Sequence, residues 1–178
     1  DWSWSGLAGT DAWRVRSTGP TSATFTATNL RPATPPAVGG AIQVAAMNLL
    51  NYFSTVDAGP DICGPAANQD CRGADSAAEL NRQRERASIV ICGLDAHVVA
   101  FGELENTTAA GAINDLLGAV NALCGGADPY LFASTGSTLG TDAIRVAIIY
   151  RSASVAPVGA PVVDLDPVHN RPPTAQTF

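Results

Sequence analysis

The 178-residue chain contains no lysine, and all ten of its basic residues are arginine. That fits a GC-rich codon habit better than a functional device. Sixteen acidic residues give a net charge of −6. This excess excludes a histone-like protein that holds nucleic acid by bulk charge. It leaves room for an enzyme that meets phosphate through a bound cation. Histidine is scarce, with only His97 and His169. No run approaches eighteen consecutive apolar residues, so no transmembrane helix is available. There is no CxxC pair, and no histidine lies near Cys63 or Cys71, which argues against a structural zinc site there. Neither an initiator methionine nor a signal-peptide pattern opens the chain, and no closing turn or polar tail follows Thr174 to Phe178. Both ends are therefore expected to be cut, as in a processed product or an incomplete reading frame.

What is present describes a folded protein. Hydrophobic residues make up 46% and charged residues 15%, ordinary for a chain that buries a core. The length suits one domain, or one domain with a short appendage. Cys63 and Cys71 lie in a segment rich in Gly, Pro, Asn and Asp, where little core is available and a local disulfide is the expected staple. Cys92 and Cys124 fall in or at the end of apparent helices; small buried apolar residues and a second bridge are both open readings. A disulfide points to a secreted, extracellular protein.

Residues 1–38 differ from the rest. Trp2, Trp4 and Trp13 open them, short strands are expected at Trp13 to Val15 and at Thr24 to Thr28, and Arg31-Pro32-Ala33-Thr34-Pro35-Pro36 reads as a linker. The expectation is the tail of a preceding β module, with a second unit over 39–178. There, Ile42 to Met47 is an apolar run suited to a buried strand. Ser76-Ala77-Ala78-Glu79 is a capping box that opens a helix carrying Leu80, Ala87, Val90, Ile91 and Leu94 at helical spacing. His97 to Phe101 is a second strand. Thr107 or Thr108 can cap a second helix with an apolar stripe through Ile113, Leu116, Leu117, Val120 and Leu123, stopped by Gly125-Gly126. Strands are expected again at Tyr130 to Ala133, Ala143 to Tyr150, Val155 to Val158 and Val162 to Leu165. This order predicts an α/β fold with a mixed sheet and flanking helices.

Ligands in open α/β sheets gather beyond the carboxyl ends of strands. Asn48 ends the first core strand, Glu103 ends the second, and Asp142 precedes the strand that ends near Tyr150. A carboxylate directly after a buried strand is costly unless paired or bound to a cation; capping a helix or facing solvent are the plainer readings. Arg82, Arg84 and Arg86 could touch a nucleic-acid backbone, but a solvated helix face is the plainer reading.

Ile42-Gln43-Val44-Ala45-Ala46-Met47-Asn48-Leu49-Leu50-Asn51-Tyr52-Phe53 resembles the opening strand of secreted bacterial endonucleases of the endonuclease/exonuclease/phosphatase superfamily, relatives of DNase I. Arg72-Gly73-Ala74-Asp75-Ser76 followed by Arg82-Gln83 is similar to the stretch that follows there. Asp95 to Asn106 resembles the metal-site strand. Gly140-Thr141-Asp142-Ala143-Ile144, Ile149-Tyr150-Arg151 and Asn170-Arg171-Pro172-Pro173 complete the series in family order, over about residues 38–178.

The resemblance implies part of a four-layer α/β sandwich and divalent-metal-dependent hydrolysis of phosphodiester bonds in DNA or RNA. It implies Mg²⁺, with Ca²⁺ or Mn²⁺ as alternatives. Glu103 would be the metal ligand, and Asn48 would join it at the metal or the scissile phosphate. Asp142 and Asn170 would orient the catalytic groups; Arg171 would contact phosphate, and Glu105 and Asn106 would line the substrate site. The family's histidine base, Asp-x-Asn pair and closing Asp-His have no counterpart here. His97 stands where the relatives carry a carboxylate and is read as a packing residue, and His169 as part of a turn. The chain is therefore expected to be an N-terminal piece with little or no turnover. A phosphatase or phosphodiesterase of the same fold, acting on another substrate, and a non-enzymatic secreted binding module are the alternatives.

Overall fold

The computed structural model describes residues 2–5, 12–15, 24, 26–30, 32–107, 111–136 and 138–178. The chain divides into two compact units, Asp1–Ala33 and Thr34–Phe178. In the first, β1 (Trp2–Ser5) pairs antiparallel with β2 (Ala12–Val15), setting Trp4 opposite Trp13. The described residues among 24–28 form no strand, unlike the expectation for Thr24 to Thr28.

The second unit is mixed α/β. Its elements are β3 (Val44–Tyr52), α1 (Ala77–Leu94), β4 (Val98–Glu105), α2 (Gly111–Cys124), β5 (Tyr130–Phe132), β6 (Ile144–Arg151), β7 (Val158–Val163) and β8 (Thr174–Thr177). A four-stranded sheet has the order β3-β4-β6-β5. β3 and β4 are parallel, which requires the crossover that α1 supplies, and the other pairs are antiparallel. β7 and β8 form a separate antiparallel pair. The two short strands expected around Gly159 and Pro161 are thus one strand with a register shift, a place where a sheet tolerates proline.

Local chemistry explains the helix limits. Ser76 accepts from the Glu79 N–H at 3.3 Å, and the Glu79 carboxylate accepts in turn from the Asp75 N–H at 3.2 Å. Asp95 closes α1 in the left-handed conformation, φ 46°. α2 stops before Gly125-Gly126, and Gly126 has φ +51°.

Both helices pack on one face of the sheet. The core contains Leu49, Val99, Phe101 and Ile149 from the strands and Leu80, Ile91, Ile113, Leu116 and Val120 from the helices. Tyr52 reaches across this core: its hydroxyl donates to Asp115, and Arg84 clasps the same carboxylate through Nε at 2.8 Å and Nη2 at 2.7 Å. Burial, and then the Asp115 partner, hold the Tyr52 phenol above its ordinary range. A disulfide between Cys92 and Cys124 ties α1 to α2.

On the opposite face, alternate residues of β3 (Val44, Ala46, Asn48 and Leu50) are exposed. That face is covered in part: the Phe178 ring lies 5.2 Å from that of Tyr150 on β6, and the far end is covered as well. There a second disulfide, Cys63–Cys71, packs with Phe53, Ala143 and Ile144. Gln69 anchors this loop, donating to the Thr141 carbonyl at 2.6 Å and accepting from the Ala143 N–H at 3.0 Å. Two intramolecular disulfides are the pattern of chains that fold in an oxidising compartment. Among the described residues no helix is long and apolar enough to cross a membrane.

Candidate functional site

Asn48 and Glu103 lie on neighbouring parallel strands, with Asn48 in register with Gly102. Neither ends its strand: β3 runs on to Tyr52 and β4 to Glu105. Instead both strands bulge here. The β3–β4 register shifts between Asn48 and Tyr52, and the β4–β6 register shifts between Phe101 and Leu104. The bulge places three non-glycine residues in the left-handed region: Leu50 and Asn51, each at φ 56°, and Glu103 at φ 60°. Each such conformation costs on the order of 1 kcal/mol, least for asparagine. Bulges of this kind re-aim a side chain.

Hydrogen bonds hold the bulge. The Asn48 side-chain oxygen accepts from the Leu50 N–H at 2.7 Å, and the Glu103 Oε2 accepts from the Asn51 N–H at 3.2 Å. From α1, the Gln83 amide donates to the carbonyls of Leu49, Leu50 and Asn51 at 3.5, 3.1 and 3.3 Å. Three consecutive carbonyls thereby share the two protons of one side-chain amide. The Gln83 Oε1 is buried with no hydrogen-bond partner among the described residues.

A second cluster forms around Asp142, whose side chain is 8% exposed. One oxygen pairs with Arg72 Nη2 and the other with Arg171 Nε, each at 2.9 Å. Burial pushes the Asp142 carboxyl up. The Arg171 hydrogen bond, the Ile144 N–H and the two guanidinium charges outweigh it and hold the group below the usual carboxylate range. Asn170 joins through its backbone: its carbonyl accepts from the Thr141 and Asp142 N–H groups at 3.0 and 3.2 Å. The close approach demands glycine at 140, where φ is +67° and a Cβ would run into the Asn170 carbonyl and the Pro172 ring. Asp142, Asn170 and Arg171 are therefore together, as one ion-paired turn tied to the disulfide loop through Arg72.

Glu105 and Asn106 are placed differently, at 2% and 0% exposure. Glu105 Oε2 accepts from the Ser54 N–H and hydroxyl, both at 2.8 Å, and from the Thr55 N–H at 3.2 Å. Asn106 donates to the Leu139 and Asp142 carbonyls at 2.7 and 2.9 Å and accepts from the Leu139 N–H at 3.0 Å. Both side chains frame the site from within and do not face a surface that a substrate reaches.

The two histidines have different settings. His97 precedes the opposite end of β4, about 20 Å from Glu103 along the strand. Its Nδ1 accepts from the Gln43 N–H at 3.0 Å, which fixes that nitrogen as an acceptor. His169 pairs with Asp164 at 3.3 Å.

Sequence reasoning missed the groove beside Asn48. About 470 Å³ in volume, it is walled by Met47 to Asn51 of β3, by Arg72 to Ala74 and by α1, with Arg82, Gln83 and Arg86 among its lining residues. The i, i+4 spacing of Arg82 and Arg86, which puts both on one helix face, was the available signal. Arg84 belongs elsewhere, bound to Asp115.

A divalent cation is tested by the donor chemistry. Glu103 offers carboxylate oxygens and Asn48 an amide oxygen, hard donors suited to a Mg²⁺ that keeps several of its waters. Among the described residues no three His, Cys, Asp or Glu side chains gather as a metal site, so a cation here would rest mainly on Glu103. Compared with protein-family models, with curated proteins and with solved structures, the chain has no match in any of the three.

Proposed function

We propose that this chain carries the metal-binding part of a secreted, divalent-metal-dependent nuclease of the DNase I-like kind, acting on phosphodiester bonds in DNA or RNA. One observation carries the reading: a glutamate is held in a left-handed conformation at a double bulge, beside Asn48, where two parallel strands converge. Strain of this sort persists where the surroundings over-determine it, and it clusters at functional sites. Glu103 and Asn48 would hold Mg²⁺, or Ca²⁺ or Mn²⁺ in its place. When bound, such a cation polarises a phosphoryl oxygen and stabilises charge on the leaving oxygen.

The chain's own groups supply position and charge. The Asn51 N–H orients the Glu103 carboxylate. Asp142 fixes the Arg171 guanidinium through Nε, leaving the two Nη groups for a phosphate oxygen pair. The family's histidine base, Asp-x-Asn pair and closing Asp-His have no counterpart among the 178 residues, so we expect the chain to turn over slowly or not at all. The sheet's exposed face supports a further layer, as in a four-layer sandwich whose second sheet would cover it.

The test is Mn²⁺ binding by calorimetry and by electron paramagnetic resonance, with wild type against Glu103→Gln. A loss of at least about tenfold in affinity is expected, the scale on which perturbing a metal's ligand sphere acts. Unchanged Mn²⁺ binding in the variant overturns the assignment. Plasmid cleavage by the wild-type chain that is robust and chelator-sensitive overturns the expectation of weak turnover.

A further inference from the structure

We propose that the groove between β3 and α1 is a phosphate-backbone track, in which Arg72, Arg82 and Arg86 bind nucleic acid independently of any metal. The inference rests on the nuclease reading for the identity of the polyanion, but not for the groove itself. Three guanidinium groups line it against one carboxylate, Glu79, in a chain whose net charge is −6. Positive charge is thus concentrated where the rest of the molecule repels a polyanion. Such focusing directs a charged ligand to one path.

The three arginines have different degrees of constraint. Arg72 is oriented by Asp142, through one Nη nitrogen at 2.9 Å. Arg82 and Arg86 are exposed, one helical turn apart, and no hydrogen bond or ion pair to a described residue commits them. Arg84, two residues from each, is clasped by Asp115 and does not contribute. The helix therefore sorts its three arginines into one structural member, Arg84, and two that border the groove, where Arg72 joins them from the loop before the helix. Asn48 lines the same groove, so a strand lying in it passes the residue next to Glu103. Arginine suits this task because its planar fork matches a phosphate.

Counterion release gives the readout. Three phosphate contacts predict a log–log salt slope of about −2.7 on duplex DNA, hence a loss in affinity of about 40-fold between 50 and 200 mM salt. The experiment measures fluorescence anisotropy of labelled duplex DNA and single-stranded RNA in EDTA, across that salt range. Variants are Arg82→Gln, Arg86→Gln and both together. Asn114→Asp, on the exposed side of α2, changes the net charge by the same unit away from the groove. Each single variant is expected to reduce the duplex slope by about one, leaving a loss of about 12-fold, and the double variant a loss of about 4-fold. Asn114→Asp should keep the wild-type slope. Slopes unchanged in the double variant, an equal effect from Asn114→Asp, or no metal-free binding at 50 mM salt would each overturn the proposal. Loss of Mn²⁺ affinity in Glu103→Gln with intact oligonucleotide binding separates the two sites. If the metal reading fails while the slopes behave as stated, the groove stands alone.

Discussion

Glu103 sits at φ 60° on a strand with neighbours on both sides, a conformation that glycine would take without strain. Glu103→Gly and Glu103→Ala both remove the carboxylate and its bond to the Asn51 N–H, but only alanine retains the left-handed penalty. The glycine variant is therefore expected to be more stable than the alanine variant by about 1 kcal/mol, read from urea unfolding. Equal stabilities would mean that the backbone relaxes once the side chain is gone. Asp142 shows the opposite economy, a buried charge that is fully partnered. Its folded-state pKa is held down, so its contribution is present above the unfolded value near 4 and is lost as pH falls through the folded value. Asp142→Asn should cost about 2 kcal/mol at pH 7 and lose less than wild type on going from pH 5 to pH 2. A parallel acid limb in the two proteins would remove Asp142 from the account. Neither residue's setting was fully legible in the sequence. Asn51 is a type that accepts the left-handed region, but Leu50 and Glu103 carry no such mark, so Asn48 and Glu103 read as strand ends when they flank a bulge.

At the scale of elements the sequence was more informative, because helix limits depend on local chemistry. The Ser76–Glu79 box and Gly125-Gly126 act where the pattern placed them, and the expected stripe is buried from Ile113 to Val120 but not at Leu123, which is exposed. The start of α2 at Gly111 lies beyond Thr107; Thr108, the other expected cap, falls outside the described residues. What local signals do not carry is pairing: Cys92 and Cys124 meet because α1 and α2 lie side by side. Their 32-residue separation closes a longer loop than the 8 residues between Cys63 and Cys71. In the chain-entropy picture the first bridge contributes about 3.7 kcal/mol and the second about 2.5 kcal/mol. Cys92→Ala with Cys124→Ala should therefore lower global stability the more. Cys63→Ala with Cys71→Ala should act chiefly on the loop that carries Arg72, seen as faster amide exchange between residues 57 and 75. A reversed order of the two global losses would show that native packing, not loop closure, sets their contributions.

Across the second unit, the sheet has one face covered by helices and one on which the β3 edge is exposed, and this asymmetry corrects how the run from Ile42 to Met47 reads. Its apolar character, broken only by Gln43, suggests a buried strand. In the structure Val44 is 72% exposed, while Val99 on the helix-facing side is fully buried. A run of this type marks both faces as apolar without saying which one this chain covers. Paired substitutions distinguish the faces. Val99→Thr introduces a hydroxyl into a dry core and should cost about 2 kcal/mol. Val44→Thr should change stability by no more than about 0.5 kcal/mol, with an unfolding midpoint independent of protein concentration. A Val44→Thr loss approaching that of Val99→Thr, together with a concentration-dependent midpoint, would mean that a second copy covers the face in solution. The same loss without concentration dependence would place another part of the chain over it. A neutral result leaves Val44, Ala46 and Asn48 on a surface open to solvent. Asn48 would then be reachable from that face as well as from the arginine groove.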